Sequence, residues 1–170
     1  MGKIEVKVTV EPIAHSQVAS WSPDSHHGAM NSFIGIVRST NLGRTVVAME
    51  YDCFIPLCEK TLFDIAAEAK EKWSEDANIF IVHRHGKLEV GEASVAITAT
   101  TRHRDESYRI TRYIIEELKT RAPIWKKEYY QDGETDWVRG HALCQHRKVD
   151  HHEHGGSPSC GGKIHSHETR

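Results

Sequence analysis

The sequence lacks the features of several protein classes. Its formal net charge is −2 at pH 7, so it has none of the basic excess that general nucleic-acid binders carry. Long apolar runs are missing too, and the start, MGKIEVKVTV, alternates apolar and polar residues where a secretory signal would be continuously apolar. We therefore expect no nucleic-acid or membrane partner and a cytoplasmic location.

Cysteine is scarce and does not form a recognised pattern. Of the four cysteines, Cys53 and Cys58 lie close in sequence, but no second pair completes a tetrahedral zinc site or a disulfide framework. We interpret these two as free thiols and expect neither a metal site nor a cofactor. The length of 170 residues, with 38% hydrophobic and 27% charged residues, is typical of one globular domain.

Hydrophobic periodicity and turn residues predict the order of the elements. A polar loop is predicted over Ser22–Ser32, a turn at Asn41–Gly43 and another at Asp132–Gly133, with Gly86 and Gly91 in a connection. The predicted helices are about Pro56–Trp73 and Arg104–Arg121, and the predicted strands are Ile4–Val10, Phe33–Val37, Thr45–Tyr51, Ile79–Val82, Ala93–Thr101 and Ile124–Tyr130.

The strands cluster around the two helices without regular βαβ alternation. This order predicts an α+β fold in which a mostly antiparallel sheet packs with two main helices. We expect one domain over residues 1–147. Residues 148–170 form a tail rich in histidine and glycine, with almost no large apolar side chain.

Each predicted helix carries an apolar face at helical spacing. On the first helix the face comprises Leu62, Ile65, Ala66, Ala69 and Trp73. On the second it comprises Tyr108, Thr111, Ile115 and Leu118. We expect both faces to be buried against the sheet.

Basic residues gather at two strand and helix ends. Arg38 follows an apolar strand, which by itself indicates a solvated charge. Arg102, His103 and Arg104 stand at the start of the second helix, where the helix dipole favours anions. Cations and free backbone N–H groups there suit a phosphate. The residues alone do not decide between such a site and side chains that are solvated or paired with the acids that follow.

Three lysines surround the proline that ends the second helix. Lys119 lies in the last helical turn, a position that also simply complements the helix dipole. Pro123 ends the helix, and Lys126 and Lys127 follow on a strand, where they point to opposite faces. At least one of them is therefore expected against the protein, where a lysine can act as an acid, a base or a nucleophile.

Four segments, in this order and spacing, resemble the large subunit of molybdopterin synthase: FIGIVRSTNLG, VHRHGKLEVGE, TTRHRDESYRITRYIIEELKTRAPIWKKE and DGETDWV. The resemblance covers roughly Gly28 to Val138 and implies a hammerhead-like α+β fold. It also implies a sulfurtransferase of molybdenum cofactor biosynthesis, which converts cyclic pyranopterin monophosphate to molybdopterin by inserting the two dithiolene sulfurs.

The resemblance implies partners as well. The sulfur would arrive as a thiocarboxylate on the C-terminal Gly-Gly of a small ubiquitin-like subunit, whose tail enters a pocket on the large subunit. Two large subunits would form a homodimer, with one small subunit at each end of the resulting heterotetramer.

The same resemblance implies roles for particular residues. Lys119 and Lys126 would be the catalytic pair. The residues that would bind substrate are Arg38, His103 and Arg104 in the pocket, Lys127 and Glu128 adjacent to it, and Ile36 and Val37 through their backbone. The basic residue that the family has after Trp137-Val138 is left unassigned, since Arg139 and His141 are both candidates.

Other histidines invite different interpretations. His83 and His85 are expected to serve packing, and His26 and His27 to be solvated. The histidines of the tail, with Cys160, suggest a competing function as a metal-handling or interaction protein, although their spacing fits no defined zinc module. A third alternative, a relative that binds a pterin phosphate without sulfur transfer, is disfavoured because both pocket lysines are present.

Overall fold

The computed structural model describes residues 2–14, 16, 18 and 24–139. Two helices are described, α1 (Ile55–Trp73) and α2 (Arg104–Arg121). The strands are β1 (Ile4–Thr9), β2 (Ala29–Ile36), β3 (Thr40–Asn41), β4 (Arg44–Cys53), β5 (Asn78–Arg84), β6 (Gly86–Glu89), β7 (Ala93–Thr101), β8 (Ile124–Tyr130) and β9 (Thr135–Arg139).

The strands form two sheets. The first sheet has the order β1-β5-β7-β2, and only its β1–β5 pair is parallel. The second sheet has the order β3-β4-β8-β9, with β6 also paired to β4, and it is antiparallel throughout. The predicted α+β class with a mostly antiparallel sheet is confirmed, and the strands are divided between two sheets.

Both helices pack over one face of the first sheet. The predicted face of α1 is confirmed, because Leu62, Ile65, Ala66 and Ala69 are fully buried there. Trp73, at the end of the same face, is half-buried, and its ring lies 5.1 Å from that of Tyr113 on α2. Nine consecutive buried residues make β7 the centre of this core.

The apolar face predicted for α2 is wrong at Tyr108, which is 62% exposed. The buried stripe instead passes through Ser107, Ile110, Thr111, Ile114, Ile115 and Leu118. Since each helical residue turns the side chain by about 100°, Tyr108 lies one step from Ser107 toward solvent. The small Ser107 hydroxyl donates to the Arg104 carbonyl at 2.8 Å, which satisfies it inside the core.

The predicted loop over Ser22–Ser32 is wrong in its last part, because β2 begins at Ala29. Its polar side chains find partners on the threonine-rich β7: Ser32 Oγ lies 2.9 Å from Thr98 Oγ1. His27 likewise places Nδ1 2.8 Å from Thr100 Oγ1, so the expectation that it is solvated is also wrong. His26 is exposed beside Asp24, as expected.

Three local features concern the cysteines, the length and character of the helices, and the potential metal ligands. Cys58 is buried, Cys53 is half-buried, and both are free. No helix of the described part combines the length and apolar character needed to cross a membrane. Residues 2–14, 16, 18 and 24–139 contain no cluster of potential metal ligands. The histidine-rich tail and Cys160 lie outside the described residues, as do Cys144 and His141.

Candidate active site

A cavity of about 280 Å³ lies where the two sheets meet the C-terminal end of α2. Residues from β2, β3, β4, β5, β7, α2 and β8 line it, together with the segments that follow β2 and α2. They are Phe33, Gly35, Ile36, Arg38, Asn41, Tyr51, His83, Ser94, Val95, Ile115, Leu118, Lys119, Ala122, Ile124 and Lys126. A pocket of this size suits a small molecule or an extended peptide tail.

The end of α2 brings two lysines to this cavity. Lys119 lies in the last turn of the helix, Ala122 caps it in an extended conformation, and Pro123 prevents its continuation. The chain then enters β8 at Ile124 and reaches Lys126. Both lysines line the cavity. The two cations therefore reach one space from different elements because the proline redirects the chain between them.

Alternation along β8 decides which lysine enters the protein. Lys126 shares the inner face with the buried Glu128, and its side chain is only 19% exposed. Lys126 Nζ donates to Glu128 Oε1 at 3.2 Å. On the outer face, Lys127 lies over the rings of Tyr129 and Trp137, with Nζ at 5.0 and 5.7 Å from their centroids. Lys127 is therefore not brought into the cavity.

Glu128 is held by further donors. Asn41 Nδ2 donates to its Oε2 at 2.7 Å, and the Tyr130 hydroxyl makes a short hydrogen bond to the same oxygen. Burial by itself would raise the pKa of Glu128. The hydrogen bond from Tyr130, the charge of Lys126 and the bond from Asn41 outweigh it and hold that pKa below its usual value. The carboxylate is thus ionised beside Lys126 at neutral pH.

The segment after β2 contributes Ile36 and Arg38. Both line the cavity, and Ile36 is 50% exposed. Val37 between them is buried, and its backbone is engaged by the turn before β7: its N–H donates to Glu92 O at 3.0 Å, and its carbonyl accepts from Gly91 N at 2.9 Å. The Val37 N–H is therefore already hydrogen-bonded within the chain.

The inner wall of the cavity includes two titratable residues, the buried His83 and the half-buried Tyr51. His83 Nδ1 lies 2.7 Å from the Arg84 carbonyl, which can only accept, so Nδ1 carries the proton of the neutral ring. Burial lowers the pKa of His83 to about 4, although the bond to Arg84 O opposes this. The ring stands edge-on to Tyr51 at 5.2 Å. Burial also raises the pKa of Tyr51.

Sequence reasoning did not place Asn41, Tyr51, Ser94 or the wall role of His83. Only Asn41 carried a usable signal. It opens a two-residue hairpin between β3 and β4 whose Leu42 and Gly43 both have positive φ, so its side chain is set by that turn. The others are ordinary strand residues, and their place in the wall depends on how the sheets meet.

His103 and Arg104 lie at the other end of α2. Both are exposed, and His103 occupies the N-cap position without a capping hydrogen bond from its side chain. Arg104 precedes Lys119 by 15 residues, which at about 1.5 Å per residue separates their backbones by roughly 22 Å. The neighbouring Arg102 pairs with Asp76 at 2.5 Å. A single chain thus brings Ile36, Arg38, Lys119 and Lys126 together and leaves His103 and Arg104 outside.

Comparison with known proteins adds independent findings. The family model described as MoaE protein matches residues 8–121. The molybdopterin synthase catalytic subunit of Synechococcus elongatus is 42% identical over 144 residues, covering 85% of this chain and 87% of that protein. The Bacillus subtilis protein of the same name is 39% identical, covering 78% and 83%.

A solved structure agrees with the fold. The crystal structure of molybdopterin synthase from Staphylococcus aureus superimposes with a TM-score of 0.72 at 36% sequence identity. The match covers 77% of this chain and 94% of the other. The overall fold is therefore one that this relative shares.

Proposed function

Because this chain belongs to the MoaE family, we propose that it is the catalytic subunit of a molybdopterin synthase and inserts the two dithiolene sulfurs into cyclic pyranopterin monophosphate. The observation that carries the proposal is the cavity into which α2 and β8 direct Lys119 and Lys126, with Arg38 at its side. The reaction is a sulfur transfer in the biosynthesis of the molybdenum cofactor.

Electrostatics supports this chemistry. Both reactants are anionic, since the pterin carries a phosphate and the sulfur donor is a thiocarboxylate. Fixed cations in a partly shielded cavity stabilise such groups, and charge that develops in the transition state, more strongly than water does. Lys119 and Lys126 are the proposed catalytic residues, which exchange protons and stabilise developing charge, and Arg38 and Ile36 contact the bound groups.

The sulfur donor is proposed to be a small ubiquitin-like subunit with a C-terminal Gly-Gly thiocarboxylate. A glycine tail lacks side chains and can therefore thread a narrow cavity. Phe33 and Ile36 line the cavity and are 36% and 50% exposed, so they offer apolar contact surface for the incoming subunit. The names of the relatives, which specify a catalytic subunit, fit an enzyme of more than one kind of chain.

A homodimer would bring His103 and Arg104 to the site. Among the described strands, β2 has a neighbour on one side only, so its other edge is free for a second copy. Helix α2 packs along β2. It starts beside Gly28, whose N–H donates to Arg102 O at 3.3 Å, and ends at the cavity. Antiparallel packing of two β2 edges about a two-fold axis would therefore set the start of one α2 beside the other chain's cavity.

The shared-site arrangement predicts complementation between inactive chains. Arg104→Ala and Lys119→Ala chains, each impaired alone at subsaturating substrate, should regain activity when unfolded together and refolded. Random reassortment makes half of the dimers mixed, each with one intact site, which gives about a quarter of wild-type activity. The matched mixture of Lys119→Ala with Lys126→Ala should regain none, because both lysines belong to the same half. Equal recovery in the two mixtures would contradict a site shared between copies.

The proposed function itself is tested by reconstitution. The protein is mixed with a thiocarboxylated small subunit and cyclic pyranopterin monophosphate, and the dithiolene product is measured. Product formation that depends on this chain supports the proposal. Binding of the pterin without product would indicate a non-catalytic relative and would refute it.

A further inference from the structure

A group of polar residues lies beside Lys126, around the carboxylate of Glu128. It comprises Glu128 and Tyr130 on the inner face of β8 and Asn41 on β3. Glu128 is 2% exposed and touches Lys126 through one oxygen, and Asn41 and Tyr130 through the other. Asn41 Nδ2 also lies 3.4 Å from the Tyr130 hydroxyl, which closes the group.

The outer end of this group is anchored to the second sheet. The guanidinium of Arg44 lies 3.8 Å from the centroid of the Tyr130 ring. Arg44 in turn donates to Asp132 and Glu134, at 2.7 Å each, across the turn that joins β8 to β9. The ring of Tyr130 is thus clamped from a direction that does not involve the cavity.

Buried carboxylates of this kind need every donor they have. One Glu128 oxygen accepts from Lys126, and the other accepts from Tyr130 and Asn41, so each shares in satisfying the group. Removing a donor leaves a buried charge less well solvated, which favours protonation of the carboxyl group. A protonated Glu128 no longer holds the Lys126 ammonium by charge.

We infer that Tyr130 and Asn41 are positioning residues, which hold Glu128 as the carboxylate that fixes Lys126 in the cavity. Lys126 alone is the catalytic residue of the group, and Glu128 acts on it rather than on the substrate. The inference rests on the proposed function. Tyr130 is the better residue to test, because Asn41 lines the cavity and Tyr130 does not.

The chain offers a matched control in the adjacent tyrosine. Tyr129 lies on the outer face of β8, where its hydroxyl donates to Glu50 at 2.5 Å. Tyr129 and Tyr130 are neighbours on β8, and each donates its hydroxyl to a carboxylate. Tyr129→Phe and Tyr130→Phe each remove that hydroxyl and leave the ring in place. Only Tyr130→Phe removes a donor from Glu128.

The variants are compared in steady-state sulfur transfer, with the concentrations of the pterin and of the thiocarboxylated subunit varied separately. Tyr130→Phe should lower kcat on the order of tenfold, the scale of one hydrogen bond to a charged group, with little change in KM for either substrate. Tyr129→Phe should match the wild-type enzyme. Equal kcat in the two variants would overturn the inference.

The fall of activity at acid pH gives a second measurement, which would not change if the role of Tyr130 were only structural. Lys126 and Tyr130 of β8 and Tyr51 of β4 are the charged and titratable groups that act on Glu128 in the described residues, with Arg44 behind Tyr130. The pKa of Glu128 is depressed, so activity falls as pH drops through it. Loss of the Tyr130 donor raises that pKa, and the acidic limb should move to higher pH in Tyr130→Phe only. An unshifted limb would contradict the inference.

A double-variant cycle separates action through Glu128 from a direct effect. In a Glu128→Gln background the carboxylate is gone, so adding Tyr130→Phe should cause little further loss of kcat. Fully multiplicative losses would show that Tyr130 does not act through Glu128. If the wild-type protein forms no product at all, the proposed function fails; if it does and Tyr130→Phe is indistinguishable from it, only this inference fails.

Discussion

Acid should destabilise this protein because His83 is buried as a neutral ring. The side chain is 4% exposed, and its Nδ1 donates to a backbone carbonyl, so the folded state holds the neutral ring. Burial depresses its pKa from 6.5 to about 4. Above pH 6.5 the ring is neutral in both states and has no effect. As the pH falls below 6.5, His83 binds a proton in the unfolded chain but not in the folded protein, and folding becomes less favourable.

The size of the effect follows from the two pKa values. One proton of difference changes the free energy of unfolding by about 1.4 kcal/mol per pH unit between them. Most of the range from pH 7 to pH 5 lies between these two pKa values. Lowering the pH from 7 to 5 should therefore reduce the free energy of unfolding by about 2 kcal/mol through His83 alone. The loss is complete only below pH 4, where the folded protein also takes up the proton.

Urea unfolding at pH 7 and pH 5 measures this contribution. Carboxylates also titrate toward acid pH, so the quantity of interest is the difference between the wild-type protein and His83→Gln, which keeps a donor but cannot be charged. The wild-type protein should lose about 2 kcal/mol more than the variant over this interval. Parallel losses in the two proteins would refute a neutral, buried His83.

Two further predictions concern the core and the site. Leu62→Ala should lower the free energy of unfolding by about 2–5 kcal/mol in urea, because Leu62 is fully buried on α1, whereas Leu57→Ala on the same helix, at 49% exposure, should change it far less; similar losses would contradict the assigned core. Lys119→Ala should fold and bind the small subunit normally but form product on the order of 100-fold more slowly, the scale of one acid–base group. Lys60→Ala, which removes an exposed lysine paired with Asp64, serves as its control, and equal rates for the two would exclude Lys119 from catalysis.

Local signals were sufficient to predict several elements. The bounds of α2, β7 and β8 match the predicted ranges, because Pro123 ends the helix and glycines or polar residues frame the strands. The start of β2 was not predictable in this way. Its Asn31 and Ser32 have the composition of a loop, and they belong to a sheet because the threonines of β7 supply partners for polar groups.

The candidate site also has one part that local signals predict and another that they do not. That Lys126 rather than Lys127 is directed inward follows from alternation once Ile124 is known to be buried. The separation of Arg104 from Lys119 was available from the helix length alone, yet the family resemblance had grouped them in one pocket. No local pattern predicts that Tyr51 and His83 share a wall, because that depends on contacts between strands distant in sequence.

The alternating faces of β8 also limit where this chain can tolerate inserted residues. One residue inserted between Pro123 and Lys126 would invert the parity of the strand and turn the outer-face Trp125 or Lys127 toward the cavity in place of Lys126. Two inserted residues would restore parity but slide the lysine along the strand by about 7 Å. An insertion at Gly133, in the exposed turn after β8, leaves that register untouched. Length variation should therefore be tolerated after Tyr130 and excluded between the end of α2 and Lys126.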